Sequence, residues 1–194
     1  MLADILITIL LIASTFYLTV VLLRFLLQLA RADFYNPISQ FAVKITNPLL
    51  RPIRKIVPGW GGIDGASLVL AVIIQAITFF LILVAQNGGL PAIGALTLIS
   101  WAVLGVLSLI VKIYFWSVIA VVIVSWIAPG SSHPAIQLVA QITEPIMRPV
   151  RNVIPSMGGL DFSPIAVFII LQVIMVMIDH MKLAVGLGAI GLGM

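Results

Sequence analysis

The chain has 194 residues, of which 62% are hydrophobic and only 8% are charged, and its formal net charge is +4. A soluble domain needs about 25% charged residues to cover its surface, so this composition excludes an ordinary soluble globular protein and predicts an all-α membrane protein. Cysteine is absent, which excludes disulfides and thiolate chemistry, and ten lysines and arginines are too few for a nucleic-acid-binding stripe.

The first apolar run predicts a transmembrane helix over residues 2–30, because a span of the hydrocarbon core takes about 20 apolar residues. Arg24 and Arg31 lie near its end, where we expect their long side chains to snorkel to the interface. The run begins with the acidic Asp4 and lacks the basic start of a signal peptide, so we expect it to remain in the mature protein.

Three further apolar runs complete a prediction of four spans. No charged residue occurs between Gly65 and Val111, which is too long a stretch for one span. The turn-forming residues that follow Gln86 divide it into a second helix, about 65–86, and a third, about 92–127. The fourth helix is predicted over about 163–182.

Lysines and arginines concentrate in the two connections that follow the first and third predicted spans. They are Arg31, Lys44, Arg51, Arg54, Lys55, Arg148 and Arg151. With four spans both connections lie on one face of the membrane, whereas the loop around Gly88 has no charge. The positive-inside rule therefore predicts a multi-pass membrane protein with cytoplasmic hinges and extracytoplasmic termini.

Residues 36–75 repeat as residues 133–172, an offset of 97 positions (133 − 36). The positions that are identical in both copies include Pro37, Gln40, Ile45, Thr46, Pro48, Arg51, Pro52, Arg54, Pro58, Gly61, Gly62, Asp64 and Gln75, each matched by the residue 97 positions later. We therefore predict two units, 1–95 and 96–194, each made of a span, an interfacial hinge (about 36–58 and 133–155) and a second span. Two spans per unit make the repeats parallel in the membrane.

Each hinge combines a basic surface with prolines. The helical spacing of apolar residues such as Ile38, Phe41 and Ile45 predicts an amphipathic helix in the interface. Pro52 cannot donate to the carbonyl of Pro48, so we expect a kinked rather than a continuous helix. The residues expected to set this geometry are Pro48, Pro52, Pro58, Pro145, Pro149, Pro155, Gly61, Gly62, Gly158 and Gly159. The cations expected to contact anionic headgroups or a protein partner are Arg51, Arg54, Lys55, Arg148 and Arg151.

Five polar residues near or inside the spans have two interpretations each. Asp64 and Asp161 precede helices, either as caps or as carboxylates that attract cations. Gln75 and Gln172 lie eleven residues further on, about 16 Å into the bilayer, where they either bond to a neighbouring helix, including each other, or coordinate an ion. Lys112 has no acidic neighbour in sequence and either snorkels or serves a function inside the membrane.

The doubled pattern Thr-x-Pro-x-x-Arg-Pro-x-Arg followed by Pro-x-x-Gly-Gly-x-Asp resembles the YggT family of small bacterial and plastid membrane proteins. The segment from Arg31 to Pro37 is similar to the proteobacterial branch. The resemblance implies links to osmotic stress or potassium handling, and to division, nucleoid organisation or cytochrome assembly in related members. It implies no catalytic residues.

The repeated basic hinges without a reaction centre predict a non-enzymatic scaffold or assembly factor, and the resemblance implies a place in a cell inner membrane and a role in osmotic stress. The alternative is a small ion transporter or channel component, with potassium as the candidate ion, that uses Lys112, the two glutamines and the two aspartates. We expect no cofactor and no metal, since no catalytic, phosphate-binding or dinucleotide motif occurs. The expected partners are anionic lipid and either another membrane protein or a second copy of the chain.

Overall fold

The structure is a computed structural model that describes residues 1–59, 62–128, 130–154 and 161–187. Over these ranges the chain forms six helices. They are α1 (Leu2–Leu29), α2 (Pro37–Arg54), α3 (Gly65–Asn87), α4 (Ala95–Ile127), α5 (Pro134–Val153) and α6 (Ser163–Ala184). Among the described residues α1, α3, α4 and α6 are long and apolar enough to cross a membrane, which confirms the predicted all-helical, four-span fold.

The turns between helices follow from local chemistry. Helix α3 ends at Asn87 and is closed by Gly88, whose φ of 65° lies in the left-handed region that glycine adopts without strain. Helices α2 and α5 begin at equivalent positions of the repeat. The Asn36 side chain accepts a hydrogen bond from the Ile38 amide, the His133 ring accepts one from the Ala135 amide, and proline follows each cap.

The two hinges are continuous helices, so the expectation that paired prolines interrupt them was wrong. Pro48 and Pro52 lie inside α2, and Pro145 and Pro149 lie inside α5. Each proline removes one backbone hydrogen bond, but tertiary packing of an amphipathic face outweighs that local cost. In α2 the buried face consists of Ser39, Ala42, Thr46 and Leu50.

Each repeat is a small packing unit. In the first, α1 packs on α3 and the hinge helix α2 contacts both; in the second, α4 packs on α6 and α5 contacts both. The buried apolar cluster of the first unit includes Leu22 of α1, Leu50 of α2 and Leu70 of α3. The hinge helix is therefore part of the core of its repeat and does not merely lie on the membrane surface.

The two repeats are joined mainly by α3 and α4, and the C-terminal end of α1 also packs into the core formed by α4 and α5. Helix α3 packs extensively on α4, and Phe79, Leu83 and Trp101 form a buried cluster between them. The hinges also meet, since the Asn36 side-chain amide donates to the Pro134 carbonyl at 2.8 Å and the Asp33 amide donates to the Gln141 side chain at 3.0 Å. No packing of α6 on α1 comparable with that of α3 on α4 occurs within the described part of the chain.

Candidate functional site

Arg24 is buried where the hinge helix α2 meets α1. Its side chain is 6% exposed, and its Nη1 donates hydrogen bonds to the Val43 carbonyl (3.2 Å), the Thr46 hydroxyl (2.7 Å) and the Asn47 side-chain oxygen (2.8 Å). A guanidinium tolerates burial only when acceptors surround it, and α2 supplies three acceptors to Nη1. The buried Nε makes no hydrogen bond with a described residue but lies 4.0 Å from the Asp64 carboxylate. The expectation that Arg24 snorkels to the interface was wrong, because it binds the hinge helix inside the protein.

Asp64 connects this buried arginine to the start of α3. Its carboxylate accepts hydrogen bonds from the Arg54 guanidinium and from the Ser67 hydroxyl at 2.7 Å, and it lies 4.0 Å from Nε of Arg24. Burial raises the pKa of this carboxyl, but the hydrogen bonds from Arg54 and Ser67 and the charges of Arg54 and Arg24 outweigh burial and hold the pKa below its usual value. The ionised carboxylate therefore joins all three helices of the repeat.

We call Arg24, Thr46, Asn47, Arg54, Asp64 and Ser67 the first clasp. Asp64 occupies the residue before α3, as expected of a cap, but its side chain makes no cap hydrogen bond to the backbone of α3. It binds side chains instead. The clasp thus fixes the end of α2 to the beginning of α3, with Arg24 holding the middle of α2 against α1.

The second repeat has an equivalent but more exposed group, the second clasp, made of Glu144, Arg151 and Asp161. Arg151 donates from Nε to Asp161 at 3.0 Å and from Nη1 to Glu144 at 2.9 Å. Asp161 also accepts from the Ser163 amide at 2.9 Å, as a cap does. Burial raises the pKa of Asp161, but the hydrogen bonds from Ser163 and Arg151 outweigh it, so the pKa lies below its usual value.

The two clasps share one link and differ in the rest. An arginine pairs with an aspartate ten residues later in both, as Arg54–Asp64 and Arg151–Asp161. Val121 stands where the first repeat has Arg24, and Glu144 stands where it has Asn47. Counting charged side chains, the first clasp has two arginines against one aspartate, whereas the second has one arginine against two acids. The duplicated links therefore lie in surroundings of opposite net charge.

The cations predicted to face lipid headgroups divide into two sets. Arg54 and Arg151 pair with the clasp aspartates, and a contact of these two arginines with headgroups or a partner stays a prediction. Arg51, Lys55 and Arg148 are exposed and make no ion pair with any residue that the structure describes. Each Arg-Pro-x-Arg motif thus places its first arginine outward and its second arginine on an aspartate.

The remaining hinge residues are only partly described. Pro58 is exposed in the link between α2 and α3, and Gly62 has a φ of 86°, a left-handed conformation that explains a glycine there. Gly61, Pro155, Gly158 and Gly159 lie outside the described residues. Between the end of α1 and the α2–α3 link is an open cleft of 620 Å³ lined in part by Gln28, Arg31 and Gly62.

The two repeated glutamines have different surroundings. Gln75 is buried against α4, where a Cβ atom built on Gly105 would lie 3.1 Å from its side chain. The glycine therefore makes room for the glutamine between the two repeats. Gln172 is exposed on α6. The expected contact between Gln75 and Gln172 is not made, and neither side chain hydrogen bonds to another described residue.

A charged cluster inside the membrane-spanning helices consists of Lys112, Lys182 and Asp179, of which only Lys112 was predicted as a site residue. Lys112 is half-buried in a groove of 430 Å³ that Thr19, Trp116 and Val139 also line. One turn away on α4, the Ser108 hydroxyl accepts a hydrogen bond from the buried Lys182 of α6 at 2.8 Å. Lys182 also pairs with Asp179 at 3.1 Å.

The contacts that Lys182, Asp179 and Arg24 make were not predicted from the sequence. The only local signal for the first two was a charged pair spaced by three residues at the end of an apolar helix, which joins residues on one helix face. No group of three or more His, Asp or Glu side chains arranged to hold a metal occurs among the described residues.

The sequence was compared with known proteins. A model of the CCB3/YggT family matches residues 3–85 and 100–181, one segment in each repeat. An uncharacterised protein of Pseudomonas aeruginosa is 49% identical over 175 residues, covering 90% of this chain and 88% of its own. The uncharacterised protein YggT of Escherichia coli K12 is 40% identical over 161 residues, covering 81% and 80%. No solved structure matches the chain.

We expect two arginine substitutions, one in each clasp, to lower the free energy of unfolding by different amounts. Arg24→Met leaves the acceptors on α2 buried without their donor, and we expect it to lower the free energy of unfolding by about 3 kcal/mol. Arg151→Met removes a half-exposed arginine of the second clasp and should cost less than about 1 kcal/mol. Unfolding of the purified protein in mild detergent measures both. Equal losses in the two variants would contradict a structural role specific to Arg24.

Proposed function

The chain belongs to the CCB3/YggT family, and we propose that it is a non-enzymatic scaffold or assembly factor of the bacterial inner membrane that binds a partner through its two hinge helices. The observation that carries this proposal is the division of each Arg-Pro-x-Arg motif. Its second arginine pairs with an aspartate of the same chain, while its first arginine is exposed and makes no ion pair with a described residue.

The clasps support a binding surface because they fix the hinge helices. Arg24 holds α2 to α1, and Arg54 holds the end of α2 to the start of α3. The hydrogen bond from Asn36 to the Pro134 carbonyl also ties the N-terminus of α2 to that of α5. Groups presented by such fixed helices bind a partner without a large loss of conformational entropy.

We place this surface on the cytoplasmic face, with both termini on the other side. Each hinge helix follows the first span of its repeat, so both hinges lie on the same side of the membrane. The α3–α4 loop on the other side carries no charge, and the positive-inside rule then assigns the hinges to the cytoplasm.

The exposed cations suit an acidic partner as well as lipid. Arg51, Lys55 and Arg148 would each gain about 1 kcal/mol beside anionic headgroups, which is enough to seat the hinges on the membrane surface. A membrane protein with acidic cytoplasmic segments would add specificity to the same charges. We propose that such a complex matters when the osmotic balance of the cell is disturbed.

The test is a charge reversal of the exposed cations. We expect the Arg51→Glu, Lys55→Glu, Arg148→Glu variant to insert normally but to lose the partner that the wild-type chain retains on purification from native membranes. A matched variant with Arg51→Lys and Arg148→Lys keeps the charges and should retain the partner. The reversed variant should also fail to restore growth of a deletion strain after an osmotic upshift. Recovery of the same partner by both variants, or of none by the wild type, would contradict the proposal.

The second candidate function is ion transport, which the charged cluster inside the membrane favours. Lys112 lines a groove between helices, and Lys182 binds Ser108 and Asp179 nearby. An ionisable group within a span commonly marks an ion or proton pathway. Against potassium, Asp64 is engaged by Arg54 and Gln172 lies on an outer face, so the polar groups do not line one path.

Flux measurements in liposomes test this second candidate. If the chain conducts ions, purified wild-type protein should carry potassium or protons, and Lys112→Met should alter the rate while Lys55→Met in the hinge should leave it unchanged. Correctly folded wild-type protein that carries neither ion would exclude the transporter.

A further inference from the structure

We propose that a second copy of the chain packs the N-terminal half of its α1 against the outer face of α6, and so repeats between copies the packing that joins α3 to α4 within one copy. The template is the contact between α3 and α4, which the internal repeat relates to the surfaces of α6 and α1. Adding 97 to a residue of α3 gives its equivalent on α6, and subtracting 97 from a residue of α4 gives its equivalent on α1.

The template contact is well defined. Gln75 of α3 lies against Gly105 of α4, close enough that a Cβ atom at residue 105 would be 3.1 Å from its side chain. Towards the ends of the same helices, Leu83 of α3 joins Trp101 of α4 in one buried cluster. This packing holds the first repeat to the second.

The equivalent surfaces of α6 and α1 are uncovered. Gln172 and His180 of α6 correspond to Gln75 and Leu83, and Thr8 and Asp4 of α1 correspond to Gly105 and Trp101. All four are exposed. Around Thr8 the exposed side chains of α1 form a stripe at helical spacing, namely Ile5, Ile9, Ile12 and Phe16.

The chemistry of these residues favours a protein neighbour over lipid. Gln172 has an amide in the apolar part of α6 and makes no hydrogen bond with the described part of the chain, whereas buried amides in membranes bond across helices. The Thr8 hydroxyl, which already donates to the Asp4 carbonyl, keeps lone pairs that accept from that amide. At the ends of the two helices, the acidic Asp4 would face the imidazole of His180.

The partner that fits these exposed faces of α6 and α1 is a second copy of the chain. Both surfaces belong to this chain, and they do not meet among the described residues, where α6 does not pack on α1 as α3 packs on α4. A contact between two different surfaces is heterologous, so successive copies either close into a ring or extend as a chain. This assembly surface lies inside the membrane and is separate from the proposed hinge surface.

Cysteine cross-linking in native membranes tests the proposal directly, because the chain contains no cysteine. We expect the Thr8→Cys, Gln172→Cys variant to form disulfides between copies on mild oxidation, moving most of the protein from the monomer band to dimers or a ladder. Co-expressed copies carrying Thr8→Cys alone and Gln172→Cys alone, with different tags, should form the mixed dimer. The Gln75→Cys, Gly105→Cys variant should form its disulfide within one chain, which controls for the template geometry.

A matched control uses the other flank of α6. Ile170 is also exposed, but at about 100° per residue it lies roughly 160° around the helix from Gln172, so Thr8→Cys with Ile170→Cys should remain monomeric. The proposal fails if Thr8 and Gln172 cross-link no better than this control while Gln75 and Gly105 do. It also fails if Gln172→Cys alone dimerises symmetrically as strongly as the mixed pair, or if the cross-linked product contains a different protein.

Discussion

The Asp64 carboxylate is the one group on which the first repeat depends. It accepts a hydrogen bond from Arg54 of the hinge helix and another from Ser67 in the first turn of α3, and it lies 4.0 Å from Nε of Arg24 in α1. A carboxylate and a guanidinium that are both buried would be costly alone, and each makes the other tolerable. Because the partners come from α1, α2 and α3, satisfying these charges also sets the positions of the three helices.

The same arginine–aspartate link occurs in both repeats but in different surroundings. The second clasp keeps the arginine–aspartate link but has Val121 in place of the buried arginine and Glu144 in place of Asn47, and the side chains of Arg151 and Asp161 are each 41% exposed. Its link therefore contributes less to stability, since solvent screens it. The hinge of the second repeat is therefore fixed less by its clasp than by the packing of α5 on α4 and α6.

The parts of the fold that lipid dictates could be predicted from the sequence, and the parts set by tertiary contacts could not. Apolar runs gave the four spans, because a bilayer selects residues by hydrophobicity over a fixed length. The burial of Arg24 could not be read, since an arginine near a helix end looks the same whether it snorkels or binds a neighbour. The same holds for Lys182, whose partner Ser108 is 74 residues away. Gln75 and Gln172 are equivalent in the repeat, but Gln75 is buried and Gln172 is exposed. The difference arises from how the helices pack, which the local sequence of either copy does not reveal.

The arginine–aspartate link that joins the hinge to the span is tested most directly by a double-mutant cycle on Arg54→Met and Asp64→Asn in the purified protein. Unfolding free energies of the two single variants and the double variant give the coupling between the side chains. We expect a favourable coupling of about 2 kcal/mol between the Arg54 and Asp64 side chains, within the range that contacting charged residues show. Additivity of the two substitutions within about 0.5 kcal/mol would contradict it.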